Sequence, residues 1–303
     1  MLQKRMSSKA FAICGALFCC ALWGISTPIV KMGYSYINAS HIPSLLLWVG
    51  ALFAVSGLLT VGIYSAVSKK LVLPKKESVK GVVIISVLQT ILQYSLLYIG
   101  LSQTTSVKGA ILKSTDVFFV ALLASLLFKL EKLTPKKLIA CIIGFAGILV
   151  MNLDGLSLHI DPIGDGLVVA SVLSYSFSVI MTKLFAQKED PITLCGYQMG
   201  LGGIVLLLLG ITLGGSFDFV GMLPIFICLA LIYGVSYTLW TVLLKYNPPS
   251  SVTIYSFMTP VFGVLFSALL LTEDGGVATT NLLIALVLVC AGILLWGYEK
   301  KAK

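Results

Sequence analysis

Charged side chains are scarce in this sequence, whereas long hydrophobic runs are abundant. Only 11% of the 303 residues are charged, 58% are hydrophobic, and the mean hydropathy is +1.03. Ordinary soluble domains carry about 25% charged residues, so this composition excludes a soluble enzyme or binding module. We expect a polytopic membrane protein that has the lipid bilayer as its surroundings.

Groups that hold metals or activate nucleophiles are also few. The two histidines, His41 and His159, stand alone, and the seven cysteines include no Cys-x-x-Cys pair. A protein metal site gathers several such ligands, so the sequence predicts no metal and no cofactor. A membrane enzyme is disfavoured because no histidine falls inside the apolar runs and only one acid, Asp116, lies deep within a run. No Walker motif is present, which argues against ATP hydrolysis.

Ten apolar runs are long enough to cross a bilayer as helices, which takes about 20 residues. We number them segments 1 to 10, at residues 10–30, 42–66, 81–101, 107–128, 138–152, 164–185, 192–213, 222–244, 252–271 and 282–298. Segment 5 is the shortest. Segment 1 contains Trp23 and Pro28 and lacks a small-x-small cleavage site, so we predict a retained helix rather than a signal peptide.

Positive charge is distributed unequally between the two sets of loops. Nearly all of the 21 basic residues precede segment 1, follow segments 2, 4, 6 and 8, or follow segment 10. The opposite loops carry the acidic residues Asp154, Asp161, Asp165, Asp218, Glu273 and Asp274. The positive-inside rule predicts a multi-pass protein of the cell membrane with both termini in the cytoplasm. Because the charges serve as topology signals in short loops, the net charge of +9 does not indicate a nucleic-acid partner.

The second half of the chain echoes the first. Residues 106–149 align loosely, but in register, with residues 251–294, so that Gly147 meets Gly292. Duplicated modules of this size build transport pathways. A duplicated structural membrane protein is the alternative.

An odd number of segments per half has a geometric consequence. With five segments in each half, the second half enters the membrane from the opposite side. We therefore predict an all-α membrane fold of ten transmembrane helices, arranged as two inverted five-helix repeats around a central cavity. The repeats would comprise residues 1–152 and 153–303.

The echo fails at Lys113 and Asp116, which align with Met258 and Val261. At ~1.5 Å of rise per residue, Asp116 lies close to the middle of segment 4. Each unpartnered charge at that depth costs about 2.5 to 3.5 kcal/mol, so the two are expected to meet on one helix face. One interpretation is an internal ion pair that fixes helix packing. The other is a site for a zwitterionic substrate, or for proton coupling through Asp116.

Further polar and aromatic residues inside the segments are candidates for lining a cavity. Gln89 and Gln93 are predicted to share a face of segment 3, where their amides suit a polar solute. The other candidate substrate-binding residues are Trp23, Tyr94, Tyr98, Tyr175, Ser178, Tyr237, Trp240 and Tyr255. Hydrogen bonding between helices is the alternative role for these side chains.

Two lysines and two prolines are candidates for gating. Lys31 and Lys183 end segments 1 and 6, where they form either a charged collar at each mouth or anchors that reach the interface. Pro28 and Pro260 remove helix hydrogen bonds and are candidate hinges.

Several stretches together resemble a known family. These are "ALWGISTPIVK" in segment 1, "LLYIGLSQTTSVKGAILKSTDVFFVALLASLLFKLEKLT" through segments 3 and 4, and "PPSSVTIYSFMTPVFGVLFSALLLTED" in segment 9. The sequence resembles the drug/metabolite transporter superfamily, in the ten-helix group with paired EamA domains. The resemblance implies a basket of ten helices with a central cavity that exports or exchanges small organic molecules. The family's proline is kept as Pro260, whereas the first half has Thr115 and Asp116 there.

These observations predict a secondary active transporter, an exporter or exchanger of small metabolites such as amino acids, that works by alternating access. A passive channel is a further alternative, although no pore-loop motif or ring of acids is present. Substrate, coupling ion and oligomeric state stay open.

Overall fold

The computed structural model describes residues 8–153, 161–270 and 279–297. Within these ranges the chain is helical, and extended residues pair only in an isolated bridge between Ile37 and Phe217. Nine helices of the described chain are long and apolar enough to cross a membrane. Segment 5, Pro135–Met151, adds a helix of 17 residues. The predicted all-α, multi-pass membrane protein is thereby confirmed.

Some sequence-based assignments fall outside the described residues. They are His159, the loop acids Asp154, Glu273 and Asp274, and the terminal basic residues Lys4, Arg5, Lys300, Lys301 and Lys303.

Seven segments are single α-helices. They are Lys9–Gly33, Ile42–Ser68, Pro135–Met151, Pro162–Phe185, Pro191–Thr212, Phe219–Tyr246 and Thr279–Gly297, for segments 1, 2, 5, 6, 7, 8 and 10. Asp161, Asp190 and Asp218 each accept two backbone N–H bonds at the start of segments 6, 7 and 8. Such caps satisfy N–H groups that have no partner within the helix, so these acids define the helix starts. Pro28 lies inside segment 1, which continues past it to Gly33.

Segment 3 departs from α-helical geometry in its middle. Lys76–Ile85 and Gln93–Leu101 are α-helices, and Ser86–Leu92 between them is a π-helix. The Ser174 hydroxyl of segment 6 donates to the carbonyl of Leu88 in the π-helix, at 2.7 Å. Gln89, predicted to share a face with Gln93, lies in this π-helix, and Gln93 begins the α-helix that follows; both side chains are buried.

Segment 4 is broken, whereas the sequence predicted one continuous helix. Ser106–Lys113 is followed by a turn at Ser114 and Thr115, then by Asp116–Leu122 and the π-helix Leu123–Leu127. The two turn hydroxyls donate back to the carbonyls of residues 110 and 112. They satisfy acceptors that the interrupted helix leaves open.

Segment 9 is also irregular, but without a gap. Pro249–Thr253 leads into the 3₁₀-helix Ile254–Phe257 and then into Met258–Leu270. Pro260 cannot donate a backbone hydrogen bond, and its ring clashes with the carbonyl four residues earlier. That carbonyl belongs to the 3₁₀ stretch, so the tighter turn lies where the proline disrupts the α-helix.

Helix pairs from the two halves pack closely. Segment 2 packs extensively on segment 7, and segment 5 packs on segment 10. At the first crossing, a Cβ on Gly203 would collide with the backbone of Ala54, and one on Gly50 would collide with the backbone of Leu207. Only glycine permits this approach of two backbones.

The remaining contacts between segments follow a reciprocal pattern. Segment 1 packs on segments 8 and 9, and segment 6 packs on segments 3 and 4. Segment 2 also contacts segment 8, as segment 7 contacts segment 3. Exchanging each of these segments for the one five places along the chain reproduces these main contacts.

Candidate functional site

The candidate site centres on the break in segment 4. Lys113 lies in the last turn of one short helix, and Asp116 in the first turn of the next. Open carbonyls at a helix end favour a positive charge, and open N–H groups at a helix start favour a negative one, by about 0.3 to 1 kcal/mol each. The helix end at Lys113 therefore favours a positive side chain, and the helix start at Asp116 favours a negative one.

The two charged side chains differ in accessibility. Asp116 is only 9% exposed. Lys113 is solvent-accessible, although protein atoms surround it densely. Lys113 is therefore open to solute or lipid, whereas Asp116 is enclosed by protein.

The predicted ion pair between Lys113 and Asp116 is not formed. Among the described residues, neither charge makes an ion pair within 4.0 Å, whereas Lys108 pairs with Asp165 and Lys137 with Glu131. The i, i+3 prediction assumed a continuous α-helix. Ser114 and Thr115 form a turn instead, with dihedral angles in the right-handed helical region, and the two charges stay within electrostatic range of each other without forming an ion pair.

Ser256 contacts the Asp116 carboxylate from the other half of the chain. Its hydroxyl lies 3.4 and 3.5 Å from the two carboxylate oxygens. The same hydroxyl lies 2.7 Å from the carbonyl of Thr253, so its single hydrogen is shared unequally and the carboxylate contact is the weaker one. Sequence reasoning missed Ser256. Its position in the part of segment 9 that echoes segment 4 was an available signal.

An aromatic cluster brings together candidates from segments 1, 3 and 8. The Trp23 ring centroid lies 4.9 Å from that of Trp240 and 5.4 Å from that of Tyr237. The hydroxyls of Tyr94 and Tyr237 are 2.9 Å apart and hydrogen-bonded. Tyr175 of segment 6 lies within electrostatic range of both Asp116 and Tyr94. The cluster is therefore continuous with the charged break.

Phe53 and Tyr233 complete this cluster. Phe53 lies 4.9 Å from Tyr94, 5.6 Å from Tyr237 and 5.7 Å from Tyr233, measured between ring centroids. The sequence did not identify Phe53 as a site residue, because nothing distinguishes it from the other apolar residues of segment 2.

Several polar atoms in this region are buried without a partner. Among the described residues, the indole nitrogens of Trp23 and Trp240 and the amide oxygen of Gln93 make no hydrogen bond. Each buried orphan of this kind costs about 1 to 3 kcal/mol. Gln89 is 8% exposed. The cluster thus holds unused hydrogen-bonding capacity in the core of the bundle.

Three predicted site residues, Ser178, Tyr255 and Lys183, make contacts with other protein groups instead of lining an open site. Ser178 is fully buried, and its hydroxyl donates to the carbonyl of Tyr175 in its own helix. Tyr255 is 8% exposed, and its backbone carbonyl accepts from the thiol of Cys20. Lys183 donates to the carbonyls of Lys245 and Asn247, at 2.9 and 3.0 Å. The contacts of Tyr255 and Lys183 join helices, whereas the Ser178 contact stays within one helix.

Lys31 is exposed in the last turn of segment 1. Pro28 and Pro260 lie in segments that cross each other closely, because a Cβ on Gly24 would collide with Phe262. The two candidate hinges therefore belong to one contact between segments 1 and 9.

The predicted cytoplasmic end of the bundle carries two buried glutamates that connect the halves. Glu131 pairs with Lys137 at 2.9 Å and accepts from the backbone and hydroxyl of Ser250. Glu189 accepts from the backbone N–H of Lys75 at 2.8 Å. Burial raises the pKa of Glu189, but the backbone N–H groups outweigh it and hold the pKa below its ordinary value. Both carboxylates thus act as acceptors between loops.

Comparison with known proteins supports a transporter. The chain is 28% identical over 294 residues to a Bacillus subtilis protein named uncharacterized transporter YvbV, which covers 94% of this chain and 91% of that protein. It is 22% identical to the B. subtilis protein named uncharacterized transporter YoaV, over 90% of this chain and 92% of that one. An Archaeoglobus fulgidus protein named uncharacterized transporter is 26% identical, over 83% and 87% of the two chains.

Structural and family comparisons extend over the same length. A solved crystal structure superposes with a TM-score of 0.74 at 18% identity, covering 95% of this chain and 97% of that one, which establishes similarity of fold. The sequence model of the EamA-like transporter family matches residues 10–153 and again residues 162–298. The predicted family is confirmed: this chain is a membrane transporter that belongs to the EamA-like transporter family.

Proposed function

We propose that this protein is a secondary active transporter, an exporter or exchanger, of small organic molecules in the cell membrane. It works by alternating access between two inverted five-helix repeats, with both termini in the cytoplasm. The reciprocal packing of segments 1, 8 and 9 and segments 6, 3 and 4 supports the inverted arrangement. The loop charges support the orientation.

The break in segment 4 carries the proposal. Lys113 is an accessible cation closely surrounded by protein atoms, and it has no ion-pair partner within the described residues. An ammonium group in this position binds a carboxylate or another small anionic group. We therefore assign Lys113 to the anionic group of the substrate and the space beside it to the central cavity.

Asp116 has a different role in this proposal. Its carboxylate is buried, so a substrate ammonium does not reach it without a movement of segments 4 and 9. A carboxyl group at this depth is a candidate proton carrier, because burial makes the loss or gain of its charge costly. We assign Asp116 to proton coupling, and to the ammonium of a zwitterion only in a more open conformation.

A purely structural role for the two charges has a specific observation in its favour. Each charge compensates the end of a short helix. That role accounts for the buried Asp116, but it does not require Lys113 to be accessible. The two roles therefore make different predictions for Lys113.

The experiment uses purified full-length protein in proteoliposomes. Radiolabelled amino acids and small carboxylic acids are tested for saturable counterflow, first in the wild type and then in Lys113→Gln and Asp116→Asn variants. We expect Lys113→Gln to abolish counterflow, and Asp116→Asn to abolish pH-driven accumulation while counterflow persists. The control is Lys80→Gln, which removes an exposed lysine in the first helix of segment 3.

Two results would contradict the proposal. Wild-type counterflow in the Lys113→Gln variant, at equal reconstitution, would exclude this lysine from the binding site. Flux that neither saturates nor responds to solute on the opposite side would indicate a channel instead of a transporter.

A further inference from the structure

Half of the tyrosines of this chain lie in one group between segments 1, 3, 6 and 8. We call Tyr34, Tyr94, Tyr98, Tyr175, Tyr233 and Tyr237 the tyrosine row. Interfacial anchoring places tyrosines at the two surfaces of a membrane. Tyr94, Tyr175 and Tyr237 instead lie in the middle of their segments, so anchoring does not explain the group.

The inner end of the row is at Asp116. Its helix packs on segment 6, which carries Tyr175, and the Tyr175 hydroxyl is within electrostatic range of the carboxylate. Tyr175 is also within range of Tyr94, which hydrogen-bonds Tyr237 at 2.9 Å. Tyr175, Tyr94 and Tyr237 thus form a series of phenol groups that begins near Asp116.

The outer end of the row is at Tyr34. The Tyr98 ring lies 6.1 Å from that of Tyr94, and the Tyr233 ring lies 6.2 Å from that of Tyr237. Both Tyr98 and Tyr233 are within electrostatic range of Tyr34. Tyr34 caps the end of segment 1 and is 42% exposed. The distribution of charge between the loops predicts that this end of segment 1 faces the outside of the cell.

Toward the predicted cytoplasmic end of segment 4, the buried residues of the next turns are apolar: Val117, Val120, Ala121 and Ala124. On segment 9, the hydroxyls of Ser256, Thr253 and Ser250 lie between Asp116 and Glu131, but those of Ser256 and Thr253 donate to backbone carbonyls of their own segment. The other titratable groups near the inner end are Lys113 of segment 4 and the thiols of Cys19, Cys20 and Cys141. The tyrosine row therefore lies on the outer side of the acid, and a short set of aliphatic hydroxyls lies on its cytoplasmic side.

We propose that the tyrosine row conducts protons between the outer surface and Asp116. A phenol both donates and accepts hydrogen bonds. Each hydroxyl accepts a proton on its oxygen and passes its own proton to the next group, with water bridging hydroxyls that are not in contact. No tyrosine gains or loses a proton overall, and Asp116 gains one at the end of each passage. This inference rests on the proposed proton coupling through Asp116.

The test separates the path from the coupling. Proteoliposomes hold the full-length protein in one orientation, selected by capture through a tag at the N-terminus. The external pH is stepped by rapid mixing, and tryptophan fluorescence is followed, because Trp23 and Trp240 lie within the aromatic cluster. The component of the signal that disappears in Asp116→Asn reports protonation of this acid. Infrared difference spectra give its extent of protonation at equilibrium.

We expect Tyr94→Phe to slow this component about tenfold, on the order of 1.4 kcal/mol in activation free energy, because the two branches of the row join at Tyr94. Tyr237→Phe should have a smaller effect, since the branch through Tyr98 remains. The equilibrium protonation should change little, because the ring and its packing are kept. The double variant should be no slower than Tyr94→Phe, because both branches pass through Tyr94. Tyr64→Phe, outside the row, is the matched control.

Three outcomes would overturn the inference. Wild-type rates in both phenylalanine variants would exclude the row as the path while leaving coupling through Asp116 intact. Faster protonation after a pH step on the cytoplasmic side would reverse the predicted direction of access. Absence of any signal that depends on Asp116 in the wild type would exclude proton coupling, but not the assignment of Lys113 to substrate binding. Should Tyr94→Phe fail to reconstitute, the Tyr98→Phe, Tyr237→Phe double variant interrupts both branches and should give the same tenfold slowing.

Discussion

Segments 4 and 9 correspond in the two halves of the chain, yet they are interrupted in different ways. Segment 4 has a turn between two short helices, with Lys113 and Asp116 at the helix ends. Segment 9 keeps its helical course and tightens into a 3₁₀ turn just before Pro260. In segment 4, the charges of Lys113 and Asp116 compensate the open helix ends. In segment 9, Pro260 has no backbone N–H to donate, and its ring forces the tighter turn.

This difference alters the meaning of the failed echo. The alignment of Met258 and Val261 with the two charges favours a functional pair over a structural one in the first half. Met258 and Val261, however, lie where a 3₁₀ turn continues directly into an α-helix, without a gap between them. The second half does without the charges partly because it has no gap to compensate. Lys113 retains its functional assignment because it is accessible, not because its counterpart is apolar.

Making segment 4 match segment 9 should have the largest effect. We expect the double substitution Lys113→Met and Asp116→Val to abolish transport, because both the proposed anion contact and the proton carrier are lost. Unfolding free energy should fall by no more than about 2 kcal/mol, since the lost helix-end compensation is offset by easier burial of apolar groups. Counterflow and chemical denaturation in detergent measure the two quantities. A variant that is strongly destabilised yet still transports would favour the structural role.

Cutting the connection between the two segments should have the next largest effect. Glu131 follows segment 4 and accepts hydrogen bonds from Ser250 at the start of segment 9. Glu131→Gln leaves the buried Lys137 without its carboxylate, so we expect a loss of about 1 to 3 kcal/mol in unfolding free energy. Glu77→Gln, at an exposed helix start, is the control. Equal stability of the two variants would contradict a stabilising role for this contact.

Removing the proline tests the second kind of interruption. Pro260→Ala restores a backbone donor and permits continuous α-helix through residues 254–257. We expect exchange to slow about tenfold, on the order of 1.4 kcal/mol, with little change in substrate affinity, because a straighter segment 9 bends less readily. Pro224→Ala in segment 8 serves as the control. An unchanged exchange rate would remove Pro260 from the candidate hinges.

The smallest effect is expected where the two segments touch at the site. Ser256→Ala removes a weak hydrogen bond to Asp116 and should cost about 0.5 to 1.5 kcal/mol, measured as a modest shift in the pH dependence of accumulation. Ser178→Ala removes a hydroxyl that bonds only its own helix, and transport should be unchanged. A larger effect from the second substitution would restore Ser178 to the substrate site.

The sequence predicted the membrane class, the ten segments and the family because these follow from composition, run length and the order of several motifs. Segment boundaries agreed closely where an aspartate caps the helix, as at Asp161, Asp190 and Asp218. The location of Lys113 and Asp116 within segment 4 also followed from the sequence. Their separation did not, because i, i+3 reasoning presupposes an unbroken α-helix.

Other parts of the site could not be predicted from local patterns. The π-helix of segment 3 carries no proline or glycine to mark it, and a hydroxyl from Ser174 of segment 6 bonds a carbonyl within it. Phe53 and Ser256 reach the site through tertiary packing alone. Residues of these types are common in any spanning helix, so only their neighbours distinguish them.

The crossing of segments 2 and 7 sets a condition on how this transporter moves. Their backbones meet at Gly50 and Gly203 with no side chain between them, so one helix cannot slide past the other without first separating from it. In the proposed division, segment 2 belongs to the first repeat and segment 7 to the second, so alternating access has to keep this crossing together. We therefore expect the helices that move as one unit to come from both repeats, and a covalent cross-link between segments 2 and 7 to leave exchange intact.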